Sequence, residues 1–152
     1  MNISAKSDYA VRAMLVLTTA DDGRPVKGET LAITQRIPVK FLENILMDLR
    51  RAGLVVSQRG AEGGYRLSRP AGAITIAEVI RAVDGPLANI RGLRPELAEY
   101  DGPAESLRDV WVAMRAALRS VLERVSLADV ASGTLPPPLR KLLADDDAWQ
   151  PH

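Results

Sequence analysis

Between Lys40 and Ser68 the chain changes its periodicity within 29 residues, and few folds accommodate that change. Leu42, Ile45, Leu46 and Leu49 recur at helical spacing, which predicts a helix over Pro38–Ala52 with one buried stripe. Lys40, Glu43, Asn44, Asp48 and Arg51 fall on the opposite face. Pro38 suits a first helical turn, where its missing N–H leaves no partner unsatisfied. Gly53 suits the helix stop, and Arg50 and Arg51 sit in the last turn, where the helix dipole favours cations. Leu54–Gln58 and Tyr65–Ser68 then read as strands. The tip between them, from Arg59 to Gly64, holds three glycines, which let a hairpin approach another molecule closely.

The residues before this stretch read as its support. Tyr9, Ala10, Ala13, Met14 and Leu17 share one face of a helix over Ser4–Thr19, and a turn is expected over residues 21–25. A short helix over Lys27–Arg36 buries Leu31 and Ala32. Only a tight joint separates it from Pro38, so the pair forms a helix-turn-helix candidate. Many such joints contain glycine. Here Gln35 and Arg36 stand in its place, which predicts a non-glycine residue in a strained backbone conformation.

After the hairpin, Thr75 and Glu78 form a capping box for a helix over Ile74–Gly85, with Ile74 and Val79 as a hydrophobic staple. Ile76, Val79, Ile80 and Val83 are its expected core stripe. Residues 87–103 show no sustained period and read as a connector with room for a short turn of helix, of the long kind that is usually functional or mobile. A helix over Ala104–Val125 would be roughly 33 Å long at ~1.5 Å per residue. Leu107, Trp111, Met114, Leu118, Val121 and Val125 are spaced alternately by four and three, the seam of a helix that pairs with a second copy. Ser126 caps a further turn, Pro136-Pro137-Pro138 stiffens the exit, Leu139–Leu143 forms one more turn, and Asp145–His152 is an acidic tail expected to be disordered.

Composition narrows the chemistry. There is no cysteine, and the one histidine is His152, so disulfides, thiolate sites, cysteine nucleophiles and histidine-based catalysis are excluded or stripped of candidates. An enzyme is not expected. Residues 1–69 carry 11 Lys/Arg against 7 Asp/Glu, and residues 70–152 carry 9 against 12. The basic half suits a phosphate-bearing partner. No segment is apolar enough for a membrane span or a signal peptide, so a cytoplasmic protein is expected.

At RRAGLVVSQRGAEGGYRLSRP and ITIAEVIRAVDGP the chain resembles the IscR/NsrR/CymR (Rrf-type) family of bacterial winged helix-turn-helix repressors. ISAKSDYAVRAMLVL and FLENILMDLRRAGL fit the same family. The likeness is close over residues 1–86 and architectural in the long helix. It implies a mostly α fold with a small β-wing: a winged helix-turn-helix DNA-binding domain over 1–86, a connector over 87–103, a dimerisation helix and following turn over 104–132, and a Pro-containing acidic tail over 133–152. It also implies a homodimer on double-stranded DNA, binding a palindromic operator. Carried over residue by residue, Pro38, Val39 and Lys40 match the base- and phosphate-facing start of the recognition helix. Glu43 matches an acid that reads a cytosine amino edge, and Arg59 matches a wing arginine that enters the minor groove. Elementary chemistry agrees, since a carboxylate accepts from cytosine N4 and arginine suits a narrow, negative groove.

Lys27, Asn44, Arg50, Arg51, Gly60, Gly63 and Gly64 complete the candidate DNA-contacting set. Asp8, Tyr9 and Arg12 form a candidate effector pocket, for a small molecule or a partner protein. The alternative reading is a winged-helix protein-interaction module that does not bind DNA. Many members of the family hold an iron–sulfur cluster through three cysteines in the connector. This connector has none, so no metal or other cofactor is expected, and the chain resembles a cluster-free branch. The purified protein is expected to be colourless and iron-free. A visible charge-transfer band after anaerobic reconstitution would overturn that expectation.

Overall fold

A computed structural model describes residues 2–20 and 23–151. Met1, Asp21, Asp22 and His152, and with Asp21 and Asp22 part of the turn expected at 21–25, lie outside the described residues. The helices are α1 (Ala5–Thr18), α2 (Gly28–Gln35), α3 (Val39–Arg51), α4 (Ile76–Asp84), α5 (Leu107–Leu122), α6 (Leu127–Ser132) and α7 (Pro137–Leu143). One antiparallel pair, β1 (Val55–Gln58) and β2 (Gly64–Leu67), runs in register from Val55 opposite Leu67 to Gln58 opposite Gly64. The fold is the expected one, mostly helical with a small wing.

The core lies around α1, against which α2, α3, α4 and α6 pack. Its Ala10, Ala13, Met14 and Leu17 are buried, and α3 adds Leu42, Ile45, Leu46 and Leu49, none more than 2% exposed. Each such α3 side chain contributes roughly 2 kcal/mol of apolar burial. Polar stitches fix the helices' relative placement. Ser4 caps α1, its hydroxyl accepting from the Ser7 N–H at 2.9 Å. The buried Ser7 hydroxyl donates to Asp84 on α4 at 2.6 Å. Lys6 donates to Asp48 on α3 and to the Val83 carbonyl, both at 2.7 Å.

The joint between α2 and α3 has the expected strain. Arg36 adopts φ 54° and ψ 47°, left-handed backbone that costs a non-glycine residue on the order of 1 kcal/mol. The Thr75–Glu78 capping box also forms as read. In α4, however, Ala77, Val79 and Val83 are buried while Ile76 and Ile80 are half-exposed. Ile80 instead lines a groove beside α5.

Two further expectations are corrected, on the fifth helix and on the tail. The fifth helix is shorter than Ala104–Val125, because Gly102–Ala104 forms a separate 3-10 turn and the helix ends at Leu122. Val125 therefore leaves the seam and is buried in the chain's own core. Its carbonyl accepts from the Ile76 N–H at 2.9 Å, and the Leu127 N–H donates to the Ile74 carbonyl at 2.9 Å. The starts of α4 and α6, each with its capping box, are thus tied together.

The connector does contain a short helical turn, and the rest of it has a definite path as well. Ile90 and Leu93 exchange two backbone hydrogen bonds around Arg91 and Gly92, both at positive φ, and Pro95–Leu97 forms a 3-10 turn with Pro95 and Ala98 buried. The tail is ordered as well. Pro136 is the N-cap and Pro137 the first residue of α7, so the prolines start a helix instead of stiffening an extended exit. Asp146–Trp149 forms a 3-10 turn closed by the Trp149 indole N–H, which donates to the Leu143 carbonyl at 2.9 Å.

At Gly64 (φ +147°) an added Cβ would lie 2.5 Å from the Val26 carbonyl. Gly64→Ala is expected to cost about 1–3 kcal/mol through strain and overpacking. Chemical denaturation checks this, and a variant as stable as the parent would refute the close packing.

Candidate nucleic-acid interface

The exposed face of α3 and the wing stand on either side of one groove of about 430 Å³. Their relation is set by backbone. Val26, just before α2, exchanges two hydrogen bonds with Tyr65, each 2.8 Å, so the wing is joined to the helix-turn-helix as a third short strand would be. Gly64 permits that approach. Gly63 permits the turn itself, since a Cβ there would meet the Gln58 carbonyl oxygen at 2.3 Å.

Into the groove α3 presents Val39 and Glu43, and the wing presents Gln58 and Gly60. Lys27, Gly28 and Glu29 at the start of α2 form a further wall. Lys27 is the N-cap of α2 but makes no capping bond with its side chain. Pro38 holds the same position before α3. Val39 is 52% exposed although apolar, and Phe41 and Met47 on the same helix are also exposed.

The expected site residues differ in how free they are. Among the described residues, Lys27, Lys40, Glu43, Asn44 and Arg59 are exposed and their side chains make no hydrogen bond or ion pair within the chain. Arg36 and Arg66 are in the same condition, although neither was placed in the candidate DNA-contacting set. Arg50 and Arg51 are partly engaged. Arg50 donates to the Ser57 hydroxyl on β1 at 3.3 Å, bracing the wing, and Arg51 lies 3.9 Å from Asp48. Gly63 is buried and Gly64 half-buried, so both shape the tip more than they face outward. Gln58, Gly28 and Tyr65 were missed, although Gln58 stands beside Arg59 at the strand end, where a signal existed.

Asp8, Tyr9 and Arg12 meet one another. Arg12 lies over the Tyr9 ring, 4.7 Å from its centroid, and its Nε is 3.1 Å from Asp8. Tyr9 in turn meets Phe41 of α3 edge to face at 5.6 Å. The trio therefore braces α1 against α3, and it lines none of the grooves described in this structure.

An exposed helix face beside a glycine-tipped hairpin, with free cations on both, can follow a polyanionic backbone while the helix meets base edges. The comparisons with known proteins point the same way. The profile of a family described as Rrf2, iron-dependent transcriptional regulator, matches residues 3–133. An HTH-type transcriptional regulator of Mycobacterium tuberculosis (strain H37Rv) is 53% identical over 146 residues, spanning 96% of this chain and 90% of that protein. The regulator CymR of Bacillus subtilis is 36% identical over 134 residues, 88% of this chain and 92% of that one. Its solved structure, described as that of a global cysteine regulator, superposes with a TM-score of 0.73 at 35% identity, covering 88% of this chain and 98% of the other. T. potens IscR superposes with a TM-score of 0.71 at 31% identity, covering 88% of each.

The family description names iron, and the donor set here does not suit an iron centre. The chain has no thiolate, and among the described residues no three His, Cys, Asp or Glu side chains converge.

Proposed function

The chain belongs to the Rrf2 family of transcriptional regulators, and from that premise we propose that it is a homodimeric DNA-binding repressor acting on an operator with inverted-repeat symmetry. The family also excludes an enzyme as the working reading. Among the described residues no helix is long and apolar enough to cross a membrane. The division into residues 1–86, 87–103, 104–132 and 133–152 is kept as the working organisation.

One observation carries the DNA reading: the uncommitted cation Lys27 lines the groove between α3 and the wing, and Lys40 and Arg59, equally uncommitted, are chain neighbours of its lining residues Val39, Gln58 and Gly60. In the proposed complex α3 enters a major groove. Glu43 accepts from a cytosine amino group, and the exposed Val39 packs on a thymine methyl. Arg59 enters the flanking minor groove, while Lys27 and Lys40 neutralise phosphates. Arg50 acts through the wing it braces.

The dimer reading rests on α5. Leu107, Trp111, Met114, Leu118 and Val121 form its stripe, and no residue of the helix is buried within the chain. The stripe continues into an apolar groove of about 580 Å³, lined by Ile80 and Leu87 on one side and by Trp111, Met114 and Leu118 of α5. A helix this apolar along one side buries that side by pairing. Control of DNA affinity is assigned to a small ligand or a partner protein, without an iron–sulfur cluster.

Arg59→Ala is expected to weaken operator binding by about 1–3 kcal/mol. A gel-shift titration on fragments recovered by genomic pull-down measures this, and unchanged affinity would remove the wing from the interface. Trp111→Asp and Leu118→Asp are each expected to turn the dimer into a monomer. Sedimentation velocity decides, and an intact dimer in both would refute the α5 seam.

A further inference from the structure

A second cavity, of about 520 Å³, lies where α4, the connector and α5 meet, and it shares no lining residue with the α3–wing groove. Four arginines line it: Arg81 from α4, Arg94 from the connector, and Arg115 and Arg119 from α5. Two carboxylates answer them. Glu96 pairs with Arg94 and Arg115, and Glu123 pairs with Arg81 and Arg119. Glu96 is held below the usual carboxylate range by a bond from its own backbone N–H, which with Arg115 outweighs desolvation. Glu123 is held low by its bonds from Arg81 and then Arg119. Both are therefore ionised at neutral pH, and the four guanidiniums leave two positive charges uncompensated.

The arrangement is that of a prepared anion site. Each glutamate clamps a pair of arginines, which fixes them before any ligand arrives. The guanidiniums together carry more N–H donors than two carboxylates can accept. Arg115 is held at 21% exposure, and Gly85, Pro86 and Leu87 close one wall. The volume falls in the range of small-ligand sites.

We propose that this cavity binds a small dianion through paired oxyanion contacts to Arg81, Arg94, Arg115 and Arg119, a phosphate monoester or a dicarboxylate. Arginine forks match both groups in geometry. The position gives binding a consequence, which rests on the DNA-binding reading above. A ligand held between Arg81 and Arg115 joins α4 to α5. Helix α4 packs on α3, and α5 carries the proposed dimer seam, so occupancy biases the spacing of the two α3 helices of a dimer.

The test uses the full chain, with inorganic phosphate and succinate as probes and chloride at matched ionic strength as the reference. Isothermal titration is expected to show saturable binding of at least one dianion beyond chloride. Phosphate alone assigns the phosphate-ester class, and succinate alone the dicarboxylate class. Arg94→Gln and Arg115→Gln are each expected to weaken binding about tenfold. Arg94 is 68% exposed, so its variant folds whatever becomes of Arg115. Arg108→Gln, on α5 but paired with Asp109 outside the cavity, leaves binding unchanged. No dianion binding above chloride, or binding indifferent to Arg94→Gln and Arg115→Gln, overturns the site. With operator DNA, the bound dianion is expected to shift affinity in the parent and not in Arg94→Gln. No shift refutes the coupling, whereas a protein that binds no operator at all refutes the proposed function and leaves the titration result standing.

Discussion

The candidate interface depends on two backbone hydrogen bonds, those exchanged by Val26 and Tyr65. A two-stranded hairpin alone is marginal in water and free to swing. Joined at Val26, the wing takes its position from the segment that starts α2, and α2 packs on α3. The backbones of the wing and of α3 are therefore fixed relative to each other. The glycines of the tip serve this constraint first. Gly64 lets two backbones meet, and Gly63 lets the turn close on Gln58. Exposure of the tip to a partner follows from that geometry.

The third helix can serve a surface because its other side is spent on the core. Leu42, Ile45, Leu46 and Leu49 hold it against α1, and Lys6 reaches across from α1 to its Asp48. Buried apolar contact supplies the adhesion, while the Lys6 and Ser7 bonds restrict how the helices slide. Residues opposite the stripe are then left with side chains that have nothing to satisfy inside the chain. Lys40, Glu43 and Asn44 are in that state, while Arg50 and Arg51 are already occupied in part and Asp48 is taken by Lys6.

Helix α5 divides its circumference differently. One side is apolar and uncovered, and the adjoining side carries Arg115 and Arg119 toward Arg81 and the connector. The connector, which contains no cysteine, has a definite shape through its turn at Arg91 and its buried Pro95. It delivers Arg94 and Glu96 to the same place. A chain that lacks thiolates thus still has a built position between α4 and α5.

Local patterns were enough for the winged helix-turn-helix fold, the stripe of α3, the capping box of α4 and the strain at the α2–α3 joint. Each depends on residues at most a few positions apart, where helical or strand geometry decides the outcome. The family resemblance named Glu43 and Arg59, and the structure sets both beside the α3–wing groove with their side chains free. Chain-distant partners decided the rest. Lys6 with Asp48, Arg81 with Glu123, and Ile74 with Leu127 are separated by 40 residues or more, and no periodicity encodes such pairs. For that reason the seam spacing ran on to Val125, which tertiary packing took into the core. Asp145–His152 looked disordered by composition, yet Asp146–Trp149 folds into a turn against Leu143, and the prolines before it open a helix. The sequence by itself determined which helices and strands form, and which faces are apolar, because those follow from neighbours along the chain. Only the tertiary structure decided which charges remain free and which converge, because that depends on what the fold brings opposite each one.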